Sequence, residues 1–346
     1  MYINTVISEK KNLIVKYWLL LITFLVGLII IVGGLTRLTD SGLSITRWDL
    51  ISGILPPLSL NDWEQSFNLY KKIPEFKLLN SSMSLEEFKV IYLWEYSHRL
   101  LGRIIGIFYF FPLIYFTFKK KINRKFLISL YLIFLLILLQ GIIGWYMVQS
   151  GLTDRTDVSH YRLSLHLTLA FIIFIFLLWS FIKYNSDKNS YENKNVPYYL
   201  PIFFLLLLVI QIALGAFVSG LDAGQIYQTW PLMNQHYFPD DSKFRDLFKL
   251  SAFDTPSLVQ FIHRNIAYFI SLVFLSIVFL IFKDNNFIYL RRITIIILFF
   301  LILQILLGVF TVLSGAQIIL ASMHQICSIF LIIATVILVF KNSKIN

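Results

Sequence analysis

Residues 91–118 form a long apolar run, IYLWEYSHRLLGRIIGIFYFFPLIYFTF. It is long enough to cross a membrane as a helix, since about 20 apolar residues span the hydrocarbon core of a bilayer. Its head carries three ionisable side chains, Glu95, His98 and Arg99. Residues at i and i+3 share one face of a helix, so Glu95 and His98 are predicted to be neighbours. Ionisable groups in a membrane helix indicate a functional site.

Composition extends this prediction to the whole chain. Hydrophobic residues make up 58% of the 346 residues and charged residues only 14%, whereas soluble proteins are about 45–50% apolar and about 25% charged. The sequence therefore predicts an all-α polytopic membrane protein with eight transmembrane helices. The predicted spans are residues 17–35, 91–118, 126–148, 162–182, 198–218, 258–282, 290–313 and 318–340.

The basic residues predict the orientation of the chain. A net charge of +11 would suit a nucleic-acid-binding protein, but the positive charge is concentrated in alternate short links between the apolar runs. Lys and Arg are enriched in cytoplasmic loops, so we expect both termini in the cytoplasm, no nucleic-acid partner, and long outer loops at about 36–90 and 219–257. The basic residues of the inner segments are Lys10, Lys11, Lys16, Lys119, Lys120, Lys121, Arg124, Lys125, Lys183, Lys188, Lys194, Lys283, Arg291, Arg292, Lys341 and Lys344, against the acidic residues Glu9, Asp187, Glu192 and Asp284.

Landmarks of the first half recur in the same order in the second half. They are His98-Arg99 and His263-Arg264, Gln140 with Gly144 and Gln304 with Gly308, His166 and His324, and, more loosely, Gly33-Gly34-Leu35 and Ser219-Gly220-Leu221. His98 precedes Gln140 by 42 residues, and His263 precedes Gln304 by 41. Four spans return the chain to its starting side. The repeat therefore predicts two four-helix bundles of the same orientation, residues 1–190 and 191–346, related by a pseudo-twofold axis along the membrane normal.

Four histidines stand at matching places of the two halves. His98, His166, His263 and His324 all lie in even-numbered spans, which run inwards from the outer side, so each half has two imidazoles on different helices at similar depth. Bis-histidine ligation of haem iron requires this arrangement. Zinc would need further ligands, and no third His, Cys or carboxylate recurs in both halves. A single helical histidine is more often a structural residue, but four at matching places favour two haem sites.

Three arginines accompany these histidines. Arg99 and Arg264 each follow a histidine, and Arg162 precedes His166 by about one turn. Arginines at these positions anchor helices at the membrane interface, or they pair with haem propionates, for which the bidentate guanidinium is well suited. Both interpretations stay open at this point.

The two halves differ beside the first histidine. The first half has Trp94-Glu95 where the second has Val259-Gln260, so only the first half places a carboxylate one turn from a predicted haem ligand. Glu95 is either an interfacial residue paired with Arg99, or an acid, base or stabilising charge beside a haem that is itself chemically changed. The second interpretation predicts that one haem is a substrate and the other a cofactor. His160 and His236 lack counterparts of this kind and are not predicted ligands.

Several longer motifs resemble the haem A synthase family, in its proteobacterial and mitochondrial branch. The stretches that carry the resemblance are Gly33-Gly-Leu-Thr-Arg-Leu-Thr-Asp-Ser-Gly-Leu-Ser44, Glu95-Tyr-Ser-His-Arg99, Gln149-Ser-Gly-Leu152, Val158-Ser-His-Tyr-Arg-Leu-Ser-Leu-His166, Tyr227-Gln-Thr-Trp-Pro-Leu-Met233, His263-Arg264 and His324-Gln325. Some members carry a cysteine pair in the first outer loop. This chain has a single cysteine, Cys327, so a thiol-based route for electrons through that loop is not available to it.

The resemblance implies an oxidoreductase of the bacterial inner membrane that oxidises the C8 methyl of haem O to a formyl group. Two successive hydroxylations would give haem A for cytochrome c oxidase. The implied partners are a haem O synthase and oxidase assembly factors, while the electron acceptor and a homo-oligomeric state stay open. The implied roles are haem b axial ligation by His263 and His324 with Arg264 beside them, haem O iron ligation by His98 and His166 with Arg99 and Arg162 beside them, and catalysis by Glu95.

Two other classes of protein fit part of the pattern. A di-haem bis-histidine cytochrome b for electron transfer would use the four histidines equally well but leaves Glu95 without a purpose. A secondary transporter would place its charged residues along a path near the midplane, whereas here they are predicted at the outer edge. The synthase is therefore the preferred hypothesis.

Overall fold

A computed structural model describes residues 12–49, 52–186, 196–197 and 199–343 of the chain. The predicted boundary between the halves, 190/191, lies outside these ranges. Eight residues used to orient the chain also lie outside them, namely Glu9, Lys10, Lys11, Asp187, Lys188, Glu192, Lys194 and Lys344.

The described residues are almost entirely helical and contain no β-strand, apart from a single bridge between Met233 and His236. Eight helices are long and apolar enough to span a membrane, so the predicted fold class is confirmed. They are α1 and α4–α10, while α2 and α3 are short helices of the first outer loop. The α-helices are α1 (Leu13–Leu38), α2 (Leu60–Tyr70), α3 (Pro74–Leu78), α4 (Leu85–Phe118), α5 (Arg124–Asp154), α6 (His160–Asn185), α7 (Tyr199–Gly220), α8 (Pro256–Lys283), α9 (Ile288–Leu313) and α10 (Ile318–Asn342).

The ends of two spanning helices follow from capping residues visible in the sequence. Ser84 and Glu87 form a capping box, in which each side chain accepts a hydrogen bond from the backbone N–H of the other residue. Helix α4 therefore begins at Leu85, well before the apolar run becomes continuous. Helix α8 begins at Pro256, since proline is favoured at the first helical position. In both cases the histidine is held within a continuous helix.

The innermost helices come from both halves of the sequence. Helices α1 and α6 pack against α10, and α6 also packs against α7. Helices α4 and α5 lie outside α1 and α6, and α8 and α9 lie outside α7 and α10. At the crossing of α1 and α10 the Gln325 amide donates to the carbonyl of Ile30 at 2.7 Å. A methyl group on Gly34 would lie 1.6 Å from the Gln325 Oε1 atom, so a side chain at position 34 would displace the Gln325 amide from this contact.

The described residues of the first outer loop fold into an ordered lid. We call residues 39–49 and 52–84 the lid; its apolar cluster is centred on Phe67, Tyr70 and Ile73 and packs on Phe88 of α4. The Phe67 and Phe88 rings are stacked with centroids 5.0 Å apart. Residues of α5 and α6 complete the cluster. The lid therefore covers the ends of α4, α5 and α6 on the side that carries both long loops, which is called the outer side below.

The second outer loop covers the corresponding ends of α7, α8 and α9. It contains three short 3-10 helices, Ala223–Gln225, Phe244–Phe248 and Leu250–Asp254. Tyr227 and Met233 are among its buried side chains, with exposed fractions of 4% and 1%, and the Tyr227 carbonyl accepts a hydrogen bond from α8. Each outer loop thus lies above the histidines of one half.

Candidate haem sites

The first-half histidines face each other across the outer part of the bundle. His98 projects from α4 and His166 from α6, with ring centroids 6.4 Å apart and ring planes inclined at 63°. Two imidazoles that share one metal ion, each with its nitrogen about 2 Å away, have ring centres about 6 Å apart. The structure therefore brings His98 and His166 to a spacing that suits ligation of a single iron.

Three of the four histidines lie at nearly the same distance from a helix end. His166 and His324 are the seventh residues of α6 and α10, and His263 is the eighth residue of α8. At a rise of about 1.5 Å per residue they are roughly 10 Å from the outer end of the helix. His98 is further along its helix because α4 begins within the outer loop. All four are on the outer side, as the sequence predicts.

Glycines let a neighbouring helix approach each first-half ring. A methyl group on Gly33 of α1 would lie 2.9 Å from the Nε2 atom of His98. One on Gly144 of α5 would lie 2.8 Å from Cε1 of His166. Any side chain at these two positions would push an imidazole aside, so the glycines of the sequence motifs keep the space in which the rings stand.

The second half has the same kind of contact at both of its rings. A methyl group on Gly215 of α7 would lie 3.3 Å from Cε1 of His263, and one on Gly308 of α9 would lie 3.0 Å from Cε1 of His324. Gly33 corresponds in this respect to Gly215, an offset of 182 residues. The looser sequence match of Gly33 with Ser219 has an offset of 186, and is therefore one helical turn out of register with these contacts.

Three of the histidines contact a glutamine of a neighbouring helix, and each of these glutamines lies one turn before a glycine. Gln140 donates to the carbonyl of His166 at 3.0 Å. Gln211 of α7 donates to the carbonyl of His263 at 3.0 Å and lies 3.3 Å from its Nε2 atom. The Gln304 amide lies 3.3 Å from Nε2 of His324. Sequence reasoning missed Gln211, although its spacing to Gly215 repeats that of Gln140 to Gly144.

The hydrogen bonds of the ring nitrogens bear on which nitrogen could bind iron. His324 Nδ1 lies 3.0 Å from the Gln304 carbonyl oxygen, which can only accept, so Nδ1 carries the proton and Nε2 keeps its lone pair. Metal-ligating histidines are usually oriented in this way. Among the described residues, the buried Nδ1 atoms of His166 and His263 have no hydrogen-bond partner. A buried polar atom without a partner is costly. His166 and His263 are both predicted haem ligands, so a bound group would offset this cost.

Glu95 is buried, with 3% of its surface exposed, and both of its oxygens accept hydrogen bonds. Oε2 accepts from the Ser44 hydroxyl at 2.7 Å and from the Ile45 N–H at 2.8 Å. Oε1 accepts from the Arg99 Nε and Nη2 atoms at 3.0 and 2.6 Å. The carboxylate therefore ties the start of the lid to the helix that carries His98, through charge-assisted hydrogen bonds.

Arg99 also holds the lid. Its guanidinium donates to the carbonyls of Ile45 at 2.9 Å and Arg47 at 3.2 Å, and it lies 4.9 Å from the centroid of the Trp48 ring. The pairing of Arg99 with Glu95 that the sequence allowed is present, and both side chains act on the same loop segment.

The second half uses the corresponding positions in a similar way. Arg264 donates to the carbonyls of Tyr227 at 3.0 Å and Leu232 at 3.3 Å. Gln260 occupies the position of Glu95 and donates to the Tyr227 carbonyl at 3.2 Å. Gln260 and Glu95 thus both hold an outer loop, and they differ in charge.

Arg162, which is in the predicted set, and His160, which is not, both have partners outside the histidine pairs. Arg162 of α6 donates to the hydroxyls of Ser150 and, at 3.2 Å, Tyr146 of α5. His160 lies 3.0 Å from a carboxylate oxygen of Asp254 in the second outer loop. His160 therefore joins the two halves and is not brought to either histidine pair.

Comparison with known proteins places the chain in a family. Residues 16–336 match the family described as cytochrome oxidase assembly protein, COX15-CtaA. This chain belongs to that family. The match extends over all eight spanning helices, both outer loops and all four histidines, so it covers the whole arrangement described above.

Close relatives share nearly the full length of the chain. A Pelagibacter ubique protein named Heme A synthase is 46% identical over 345 residues, which are 99% of this chain and all of the relative. A Rickettsia bellii protein of the same name is 42% identical over 93% of this chain and 96% of its own length. An Ehrlichia canis Heme A synthase is 42% identical over 94% of this chain and 92% of its own length.

Proposed function

We propose that this protein is a haem A synthase, an oxidoreductase that converts the C8 methyl of haem O into a formyl group. The observation that carries the proposal is the pair His98 and His166 at a spacing that suits one iron, with Glu95 one turn away. The relatives named Heme A synthase match this arrangement over nearly their full length. The product would serve cytochrome c oxidase, in keeping with the family description.

The two halves have different tasks in this proposal. His98 and His166 ligate the iron of the substrate, haem O, and His263 and His324 ligate a resident haem b. Bound haem b supplies a one-electron redox centre whose potential depends on its axial ligands and their hydrogen bonds. Support for a resident group in the second half comes from Gln211 and Gln304, which orient both of its imidazoles, while α1 has Ile29 where α7 has Gln211.

Glu95 is the proposed catalytic carboxylate. It is the only acidic residue in the described helices that lies one turn from a predicted ligand, and the Arg99 guanidinium and two neutral donors fix its position. A fixed negative charge in a dry site stabilises positive charge that develops on a substrate carbon during oxidation. The same contacts keep the lid closed over the substrate and exclude water.

The arginines are proposed to pair with haem propionates. Arg99, Arg162 and Arg264 all lie at the outer ends of the helices that carry histidines. Arg264 has a buried Nε atom without a partner among the described residues. Binding of a propionate would satisfy this Nε donor of Arg264, since arginine pairs well with carboxylates.

The proposed setting is the inner membrane of a bacterium, with both termini in the cytoplasm. Substrate would come from a haem O synthase and product would pass to oxidase assembly factors. The two halves are proposed to be repeats of the same orientation, and the matching glycine–histidine contacts support this.

Haem extraction tests the proposed reaction. The protein is expressed with and without a haem O source, purified, and its haems are separated and identified. We expect haem A, or a hydroxylated haem O, only when haem O is supplied. Haem b alone under both conditions would instead support the di-haem cytochrome.

A further inference from the structure

Helices α4 and α5 are in close contact in the inner half of the membrane. The Tyr109 hydroxyl donates to the Leu130 carbonyl at 2.8 Å. The Phe134 ring of α5 stacks on Tyr109 and Phe110 with centroid distances of 5.9 and 5.4 Å. These aromatic contacts close the seam between the two helices on the inner side.

Glycines occupy the same seam in the outer half. Gly102 lies about two turns before Tyr109, and Gly141 about two turns after Phe134, so each shares a face with the aromatic residue of its own helix. Gly106 lies between Gly102 and Tyr109 on that face. A methyl group on Gly106 or Gly141 would have no atom of the described residues within 4 Å, and one on Gly102 would meet only Ile29 of α1, at 3.7 Å. The seam is therefore open here.

The open part of the seam leads to the first-half histidines. His98 is one turn before Gly102 on α4, and Gly144, which contacts His166, is one turn after Gly141 on α5. Both helices lie at the outside of the bundle, and α5 exposes Leu138 and Ile142 where lipid would surround it, with exposed fractions of 48% and 60%. We call this open part of the seam, beside Gly106 and Gly141, the gap. It connects the lipid-facing surface of the bundle to His98 and His166.

The lid closes the direct path from the aqueous phase. Ser44, Ile45 and Arg47 are bound to Glu95 and Arg99, and Arg103 donates to the Asp49 carbonyl at 2.9 Å. A substrate that arrives from water would have to break these contacts. One that arrives from the bilayer would not.

The second half carries larger residues at the matching places. The spacing from His98 to His263 relates Gly102 to Ala267 and Gly106 to Ser271, and the spacing from Gln140 to Gln304 relates Gly141 to Ile305. Ile305 packs against the apolar core. The gap is therefore wide in the first half, which would exchange its haem. It is narrower in the second half, which would keep its haem.

We propose that haem O enters, and haem A leaves, sideways between α4 and α5 from the outer leaflet of the bilayer, through the gap kept open by Gly106 and Gly141. This inference rests on the proposed function. On this route the substrate is a haem dissolved in the membrane. The glycines of α4 and α5 leave the space through which haem O enters and haem A leaves.

Haem transfer from vesicles tests this route. Gly106→Ser combined with Gly141→Ile gives the first half the residues of the second at these two positions. Purified protein in nanodiscs, with its haem b in place, is mixed with phosphatidylcholine vesicles that contain haem O, and uptake is followed by absorbance. We expect uptake by the double variant to be at least tenfold slower than by the wild type, with unchanged haem b. A matched control, Ile142→Trp, adds bulk to the same helix outside the gap and should leave uptake at the wild-type rate.

Uptake at the wild-type rate in the double variant would overturn the route, as would equal slowing in the Ile142→Trp control. If the double variant also loses haem b, Gly141→Ala decides: slower uptake with normal haem b supports the route, and unchanged uptake overturns it. Because uptake requires no oxidation, wild-type protein that binds haem O through the gap but forms no haem A would contradict the proposed function alone.

Discussion

Glu95 and Gln260 show how a single side chain distinguishes the two halves. Both lie one turn before a histidine and both bind the outer loop of their half. Holding the loop is therefore common to the two positions and does not need a carboxylate. The negative charge is what the first half adds, and the proposed chemistry depends on it.

Replacement of Glu95 by glutamine tests the need for that charge. Glu95→Gln keeps the size of the side chain and can still bind the lid, but it cannot stabilise a developing positive charge. We expect at least a tenfold loss of haem A, measured by haem extraction, with haem O and haem b still bound. Gln260→Glu in the second half is the matched control and should not reduce haem A. A wild-type yield from Glu95→Gln would make Glu95 an anchor for Arg99 and the lid.

The glycines beside the rings give a second residue-scale prediction. Gly308→Ala would bring a methyl group to 3.0 Å from the His324 ring, and Gly144→Ala would bring one to 2.8 Å from the His166 ring. We expect Gly308→Ala to lose most haem b, and Gly144→Ala to bind haem O poorly while haem b stays. The measurement is the absorbance spectrum of each purified variant before and after addition of haem O. Gly42→Ala, where a methyl group meets nothing within 4 Å, is the control, and equal effects at all three positions would contradict the account.

At the scale of elements, the lid contains a carboxyl group that is costly to bury. Glu75 of α3 is 4% exposed, and its Oε2 atom has no hydrogen-bond partner among the described residues. Burial, together with the negative charges of Asp157, Glu95 and Asp40, raises the pKa of Glu75 to about 8. The folded lid therefore holds this side chain in its neutral form at pH 7.

This elevated pKa predicts how lid stability depends on pH. Below the ordinary value of 4.5 the carboxyl is protonated in both the folded and the unfolded chain. Between that pH and about 8 only the unfolded chain ionises, so folding loses stability as the pH rises. Glu75→Gln removes this loss and should stabilise the protein by on the order of 2 kcal/mol at pH 7. Thermal unfolding in detergent at pH 4.5 and pH 7.5 checks this, and a gain of equal size at both values would contradict it.

Local sequence signals predicted the helices better than they predicted the contacts between helices and loops. The Ser84 capping box and Pro256 mark the starts of α4 and α8 within the sequence itself. The donors that surround Glu95 could not be predicted, because Ser44 and Ile45 are about fifty residues away in the chain and meet it only in the folded lid. Gln211 could have been found from its spacing to Gly215. It was missed because the looser sequence match between α1 and α7 is one helical turn out of register.

At the scale of the whole molecule, the eight spans followed directly from apolar length. The packing of α1 and α6 against α7 and α10 did not, because every spanning helix is apolar on most of its surface and periodicity does not choose the partner. The predicted orientation rests on five basic inner segments, of which the links between α4 and α5 and between α8 and α9 lie wholly within the described residues.

Cysteine labelling tests that orientation. Cys327 is buried, so the wild-type protein should give little background. A cysteine introduced by Ser81→Cys in the lid should react with an impermeant maleimide in spheroplasts. One introduced by Lys121→Cys, between α4 and α5, should react only after the membrane is opened. The reverse pattern would contradict cytoplasmic termini.

In the proposed function the two histidine pairs hold different haems, one converted and one resident. The most direct measurement is the identity of the haems retained by His98→Ala and by His263→Ala when each is expressed with a haem O source. We expect haem b without haem O or haem A in His98→Ala, and haem O without haem b or haem A in His263→Ala. Loss of haem b from His98→Ala, with haem O or haem A retained, would contradict it.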